Sequence, residues 1–314
     1  MIAQDSLEKR MEMNRASLIG LGALGVMFGN QLNNNMKKGS FRIIADESRL
    51  ARYSESGIYC NGRRCEFVYQ NPGSETDPAD LAIFAVKYSG LKDAIKSMKN
   101  QISENTVIIS LLNGISSETI LADAFGPERI IYCVAQGMDA VKEGNQILYQ
   151  NIGMLVIGEK NGKPSKRAVE LSGFLKTHGV PCIVEDDMYR KIWSKFMLNV
   201  GVNQVVALYG GTYGEIQEEG ASRDLMKEAM REVIRISAKE GVGLAEDDLE
   251  YWMKVLATLS PDGKPSMRQD IEAKRPSELE LFSGTVLEFA EKHGLSVPVN
   301  KMIYEKIKEI ERSY

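Results

Sequence analysis

The feature that most constrains this chain is the run SLIGLGALGVMFG, in which Gly20, Gly22 and Gly25 form G-x-G-x-x-G. It stands directly after a short apolar segment and opens an amphipathic stretch from Ala23 to about Lys37. In such a turn the first glycine permits the tight reversal and the second lets the backbone come close to a pyrophosphate. The third lets helix pack on strand, and the helix N-terminus attracts phosphate. The competing explanation is a strand-to-helix turn with no ligand. An apolar strand before it and a helical pattern after it favour the ligand, so the N-terminal half is expected to bind a dinucleotide through Gly20, Leu21, Gly22, Ala23, Leu24 and Gly25.

From Arg15 to about residue 183, short β-branched runs alternate with helical stretches. SLIGL, FRIIA, LAIFAV and TVIISLL are bounded by turn signals, the rhythm of a parallel sheet buried on both faces. IIYCVAQ, ILYQN, MLVIGE and PCIVED read as partly antiparallel additions, with a hairpin-like turn at Glu143–Asn145 separating the first two. Beyond Asp187 helical spacing takes over, in 188–209, 218–241, 245–259, 278–293 and from Asn300 onward. A single core rarely grows past about 250 to 300 residues. The chain is therefore expected to be α/β, with an N-terminal Rossmann-type dinucleotide-binding domain over residues 15–185. An all-helical C-terminal domain over 186–314 follows it, and an extension over 1–14 precedes it.

Composition narrows the function. With 39 Lys and Arg against 43 Asp and Glu, the net charge is −4, which leaves no basic excess for nucleic-acid phosphates. The four cysteines, Cys60, Cys65, Cys133 and Cys182, show no C-x-x-C pattern and read as reduced thiols. Two histidines, His178 and His293, are too few for most zinc sites and make a Ser-His-Asp or Cys-His mechanism hard to build; no metal-ligand set is read. Residues 1–14 lack the apolar stretch of a secretory signal, and no run of about 18 apolar residues occurs. A cytoplasmic protein with no membrane or nucleic-acid partner is expected.

Three places carry candidate chemistry. Asp46, at the end of the second strand in RIIADESR, is placed either to accept from a ribose 2′-hydroxyl or to cap the next helix, with Arg49 and Arg52 close by for a 2′-phosphate. In KIWSKFMLNVGVNQVV, Lys195, Asn199 and Asn203 recur at i, i+4 and i+8, each about 40° round from the last, as one polar stripe on an otherwise apolar helix. Such a stripe needs either a wet, ligand-filled surrounding or structural partners. Ser266, after the turn SPDGKP, and Glu278, at a helix start in PSELELF, fit helix capping as readily as function.

Taken in order, these residues resemble the ketopantoate reductase family, the 2-dehydropantoate 2-reductases. The resemblance runs from about Ala16 to the C-terminus. It rests on GLGALG at 20–25, VK at 86–87, LNG at 112–114, WSKFMLN at 193–199 with Asn203, PSMRQD at 265–270, SELELFSG at 277–284 and GLSVPVN at 294–300. It implies a substrate cleft between the two domains and reduction of 2-dehydropantoate to pantoate, a step of pantothenate and coenzyme A biosynthesis. Lys195 matches the general acid that protonates the ketone oxygen, and Glu278 the carboxylate near the cofactor and that lysine. Asn199, Asn203 and Ser266 match substrate-holding positions; Lys87, Asn113 and Ala140 match positions that touch the dinucleotide. A lysine donor suits a chain with no suitably placed histidine, and reductive activity should then fall as pH rises through the Lys195 pKa.

Departures from the family sharpen the expectations. NADPH is the cofactor the resemblance implies, but Asp46 replaces the usual arginine and opens the way to NADH. Tyr213 stands where some members place a further substrate-holding asparagine, which leaves a reductase of another branched 2-oxo acid as an alternative. A non-catalytic NAD(P)H-binding sensor is the other alternative, opposed by the presence of both Lys195 and Glu278. The residues before Arg15 leave Met1, Met11 and Met13 as candidate starts. Amphipathic C-terminal helices fit packing within one chain or across a homodimer equally well.

Overall fold

Every residue of the runs ASLI, FRII, LAIF and VIIS is buried in the computed structural model, which describes residues 13–314. The reason is a parallel sheet covered on both faces. Side chains alternate between two cores: Leu18, Ile43, Ile83 and Ile109 enter one, and Ile19, Ile44, Phe84 and Ile108 enter the other.

Up to residue 188 the elements are β1 (Ala16–Ile19), α1 (Ala23–Asn35), β2 (Phe41–Ile44), α2 (Glu47–Ser56), β3 (Tyr59–Cys60), β4 (Arg63–Arg64), β5 (Tyr69–Gln70), β6 (Leu81–Phe84), α3 (Leu91–Met98), β7 (Val107–Ser110), α4 (Ser117–Phe125), β8 (Tyr132–Met138), β9 (Val141–Glu143), β10 (Gln146–Leu148), β11 (Ile152–Gly158), α5 (Lys166–Thr177) and β12 (Cys182–Val184). The main sheet runs β5-β2-β1-β6-β7, all parallel. Chain order reverses direction between β1 and β6, so their C-terminal ends form the switch point at which such sheets bind ligands. A parallel bridge from Ile108 to Ile130, with the Ile131 N–H donating to the Ile108 carbonyl at 3.0 Å, carries the sheet toward β8. β8 pairs antiparallel with β11, and β11 pairs parallel with β12.

The turn at Glu143–Asn145 is present, but it joins β9 to β10 and does not separate the IIYCVAQ strand from ILYQN directly. β10 instead joins β3, β4 and β9 in a second sheet, order β4-β3-β10-β9. β9 is only three residues long, too short for a periodic signal, and Gly144 supplies the turn at φ +60°. Of the expected extension over 1–14, residues 1–12, and with them Met1 and Met11, lie outside the described residues; Met13 is buried.

Two compact units result. One runs through Leu112 and resumes at Glu118–Met188; the other comprises Asn113–Ser117 and Tyr189–Tyr314. The short segment Asn113–Ser117, which a linear division of the sequence leaves in the first domain, groups with the second. From Met188 on, the elements are helical: α6 (Met188–Tyr209), α7 (Tyr213–Gln217), α8 (Ala221–Lys239), α9 (Glu246–Leu256), α10 (Ser266–Glu272), α11 (Thr285–His293) and α12 (Pro298–Arg312), with a π-helical turn at Glu280–Gly284 ahead of α11. Trp193, Phe196, Met197, Val200, Val205 and Val206 bury α6 almost all round. Gly201 lets α8 approach it, since a Cβ there would lie 2.6 Å from Met230 Cγ. No helix among the described residues is long and apolar enough to cross a membrane. All four cysteines are buried free thiols.

Candidate functional site

The glycine-rich turn links β1 to α1 at the switch point, and its three glycines have different reasons to be there. Gly20 has φ +102°, and a Cβ on it would lie 2.5 Å from the Ala85 carbonyl oxygen, just after β6. A Cβ on Gly25 would press into the Gly20 carbonyl oxygen and reach within 3.1 Å of Ala85 Cβ. Both are fixed by the packing of the chain on itself. Gly22 is not: its φ of −75° suits any residue, and a Cβ would find only the Ala85 carbonyl oxygen, at 3.7 Å. Gly22 is also the N-cap of α1, with no side-chain cap and no acidic residue in the first helical turn. Neither conformation nor packing calls for a glycine there, and the α1 N–H groups are left open to an anion. A dinucleotide pyrophosphate fits this arrangement.

The other expected nucleotide positions also fall at strand ends. Asp46 follows β2 as the N-cap of α2, its Oδ1 accepting from the Arg49 N–H at 2.9 Å and the Ser48 hydroxyl at 2.7 Å, while Oδ2 accepts from the Arg49 guanidinium at 2.9 Å. The Ser48 and Arg49 hydrogen bonds hold its carboxyl below the usual carboxylate range. The capping explanation is thus realised, and the carboxylate remains charged at the end of β2. Lys87 is exposed just past β6, and Ala140 is half-buried between β8 and β9.

The second unit brings together three residues far apart in sequence. Lys195 Nζ, on α6, donates to Asn113 Oδ1 at 3.2 Å, and Asn113 Nδ2 donates to Glu278 Oε2 at 3.0 Å. Gly114, at φ +88°, seats the Asn113 segment: a Cβ there would lie 2.7 Å from Leu281 Cδ1, in the π-helical turn that follows Glu278. Asn113, expected at a dinucleotide, is therefore the link between the lysine and the carboxylate. Along the stripe, Asn199 and Asn203 are 7% and 8% exposed, and Asn199 Nδ2 is buried with no hydrogen-bond partner among the described residues. Such an orphan donor costs about 1–3 kcal/mol unless something accepts from it. Ser266 opens α10 and is exposed. Tyr213 serves packing, its ring covering Gly263 and its N–H donating to the Gly263 carbonyl at 2.9 Å.

Sequence reasoning missed the residues that hold Glu278 in place. The buried Gln204, one turn past the stripe, donates to the Val200 carbonyl and accepts from the Ser283 N–H at 3.1 Å; the Ser283 hydroxyl donates to Asn300 Oδ1. Asn300 Nδ2 donates to the buried carboxylate of Glu232, which also accepts the N–H groups of Val299 and Asn300 at the start of α12. This network ties α6, the π-helical turn, α8 and α12 together. Its signal was a set of polar residues in apolar surroundings, Gln204 and Asn300 above all.

Comparison with known proteins agrees along nearly the whole chain. The family profile described as Ketopantoate reductase PanE/ApbA matches residues 17–162, and the one described as Ketopantoate reductase PanE/ApbA C terminal matches residues 187–311. A 2-dehydropantoate 2-reductase of Halobacterium salinarum is 25% identical over 304 residues, which cover 95% of this chain and 99% of that protein. Among solved structures, D-mandelate dehydrogenase with NADH and anilino(oxo)acetate shares the fold with a TM-score of 0.85 at 20% identity, over 95% of this chain and 99% of that one. A dimeric ketopantoate reductase from Staphylococcus aureus does so with a TM-score of 0.79 at 19% identity, again over 95% and 99%.

Proposed function

The chain belongs to the ketopantoate reductase family, and we propose that it reduces 2-dehydropantoate to pantoate with a nicotinamide cofactor, Lys195 giving the proton. The observation that carries this reading is the hydrogen-bonded series Lys195–Asn113–Glu278. Reduction of a ketone leaves an alkoxide that must take up a proton, and a positioned ammonium is a competent donor. The nicotinamide, when bound, supplies a hydride to the ketone carbon. Asn113 fixes the donor. Its carbonyl oxygen faces the ammonium and its NH₂ faces the carboxylate, and a flipped amide would break both bonds at once. The Glu278 charge, felt through the polarised amide, favours the charged lysine before proton transfer.

Asn199 and Asn203 hold the substrate, the orphan Nδ2 of Asn199 being satisfied by a substrate oxygen, and Ser266 receives its carboxylate. Gly20 to Gly25 cradle the pyrophosphate, and Lys87 and Ala140 line the nucleotide. NADPH is the cofactor proposed first. The charged Asp46 accepts equally well from the ribose of NADH, so both should turn over, in a ratio set by the Asp46–Arg49 pair. We place the enzyme in the cytoplasm as a homodimer, the assembly of the Staphylococcus aureus relative. Initial rates over a panel of branched 2-oxo acids test the reading: 2-dehydropantoate should give the highest kcat/KM. A different 2-oxo acid in that position would replace the substrate, and a folded protein with no turnover would leave only a nucleotide sensor.

A further inference from the structure

Lys142 belongs to none of the motifs above. It lies half-buried in β9, two residues after Ala140, and its Nζ donates a 2.6 Å hydrogen bond to the carbonyl oxygen of Leu21, between the first two glycines of the turn. β9 is held by antiparallel pairing with β10, Lys142 opposite Ile147, and α1 packs against both β10 and β3. The position of the ammonium beside the turn is therefore set by the sheet.

Residues 20–35, the turn and all of α1, contain no charged side chain. The backbone cradle offers a pyrophosphate only partial charges, about half an elementary charge at the helix N-terminus. A bond to one neutral carbonyl is slight return for drawing a lysine out of water, and that bond occupies one of three N–H donors. A doubly charged ligand at the turn accounts for the lysine better. We infer that Lys142 binds the pyrophosphate of the dinucleotide, an inference that rests on the dinucleotide reading of the turn. The Leu21 bond holds the ammonium in place before the ligand arrives, so little side-chain freedom is lost on binding. The pyrophosphate is common to NADH and NADPH, so Lys142 sets affinity without setting the choice between them, in contrast to the Asp46–Arg49 pair.

The test is titration of wild type, Lys142→Gln and Lys142→Arg with NADH, NADPH and ADP-ribose, followed by calorimetry and by melting temperature without ligand. Lys142→Gln should weaken all three ligands about tenfold, leave the NADPH-to-NADH ratio unchanged and reduce the salt dependence of binding. Lys142→Arg should stay within about threefold of wild type, the charge being kept. Unchanged ADP-ribose affinity in Lys142→Gln would overturn the inference, as would a loss confined to NADPH, which would assign the charge to the 2′-phosphate. Equal weakening in both variants with a lowered ligand-free melting temperature would also overturn it, by making Lys142 a brace for the turn. Failure of wild type to bind any of the three would remove the dinucleotide reading itself.

Discussion

Single alanine substitutions at Gly20, Gly22 and Gly25 should separate what the turn does for the fold from what it does for the ligand. At Gly25 the new methyl meets the Gly20 carbonyl oxygen, a backbone atom that cannot step aside, and reaches within 3.1 Å of Ala85 Cβ. Overpacking of this kind costs about 1–3 kcal/mol. At Gly20 an overlap with the Ala85 carbonyl at 2.5 Å adds to the left-handed φ of +102°, itself worth roughly 1–2 kcal/mol against an L-residue. Each variant should melt several degrees below wild type, at about 2–4 °C per kcal/mol for a chain of this order. At Gly22 the methyl meets nothing closer than 3.7 Å and φ is −75°. The reduced freedom of the unfolded chain stabilises by about 0.4–1 kcal/mol, offset by the poorer capping of alanine. Gly22→Ala should therefore melt within about 3 °C of wild type, yet bind NADH at least about tenfold more weakly, because its methyl occupies the room a pyrophosphate needs. Thermal melts and nicotinamide fluorescence titrations measure both. A Gly22→Ala protein that melts as low as Gly25→Ala, or that binds the cofactor normally, would refute the reasoning.

Three more expectations follow from the same geometry. Asn199→Leu removes a buried donor that has no partner among the described residues, so stability should hold or rise while KM for the 2-oxo acid increases at least about tenfold; a fall in stability with KM unchanged would make Asn199 structural. Asp46→Ser keeps a cap for α2 but removes the carboxylate and frees Arg49, and the ratio of kcat/KM for NADPH over NADH should rise about tenfold, an unchanged ratio counting against any contact with the ribose. Burial pushes the Glu159 carboxyl up, but hydrogen bonds from Arg167 and Ser165 outweigh it and hold the group below its usual range. Its stabilisation is then present above the unfolded pKa of about 4.3 and lost as pH falls through the lower folded value. Glu159→Gln should accordingly cost about 1–3 kcal/mol at pH 7 and converge with wild type in acid, as denaturant melts across pH will show.

The first unit was legible because its signals are local. Four-residue apolar runs announce buried parallel strands, and a glycine triplet between strand and helix announces the switch point. What escaped was short or distant. β9 has three residues and α7 five, below the length at which periodicity speaks. The stripe of Lys195, Asn199 and Asn203 was visible on α6, and the structure supplies its surroundings: a lysine bound to Asn113 and a buried amide. The joining of Asn113 to Lys195 and Glu278 spans 82 and 165 residues, and no local pattern encodes it. The π-helical turn after Glu278 depends on Gln204 and Asn300, whose partners sit on other helices. Asp46 taught a different lesson, since helix capping and ribose recognition ask for the same residue at the same place.

The central claim is that Lys195 protonates the ketone of 2-dehydropantoate. The most direct measurement is the initial rate of that reduction with NADPH and with NADH, wild type and Lys195→Ala side by side, together with the cofactor Kd of each protein. The account predicts robust wild-type turnover, a loss of about 10²- to 10⁴-fold in kcat for the variant, and a cofactor Kd that does not move. A folded wild type that reduces nothing with either cofactor, or a variant that keeps the rate, would contradict it.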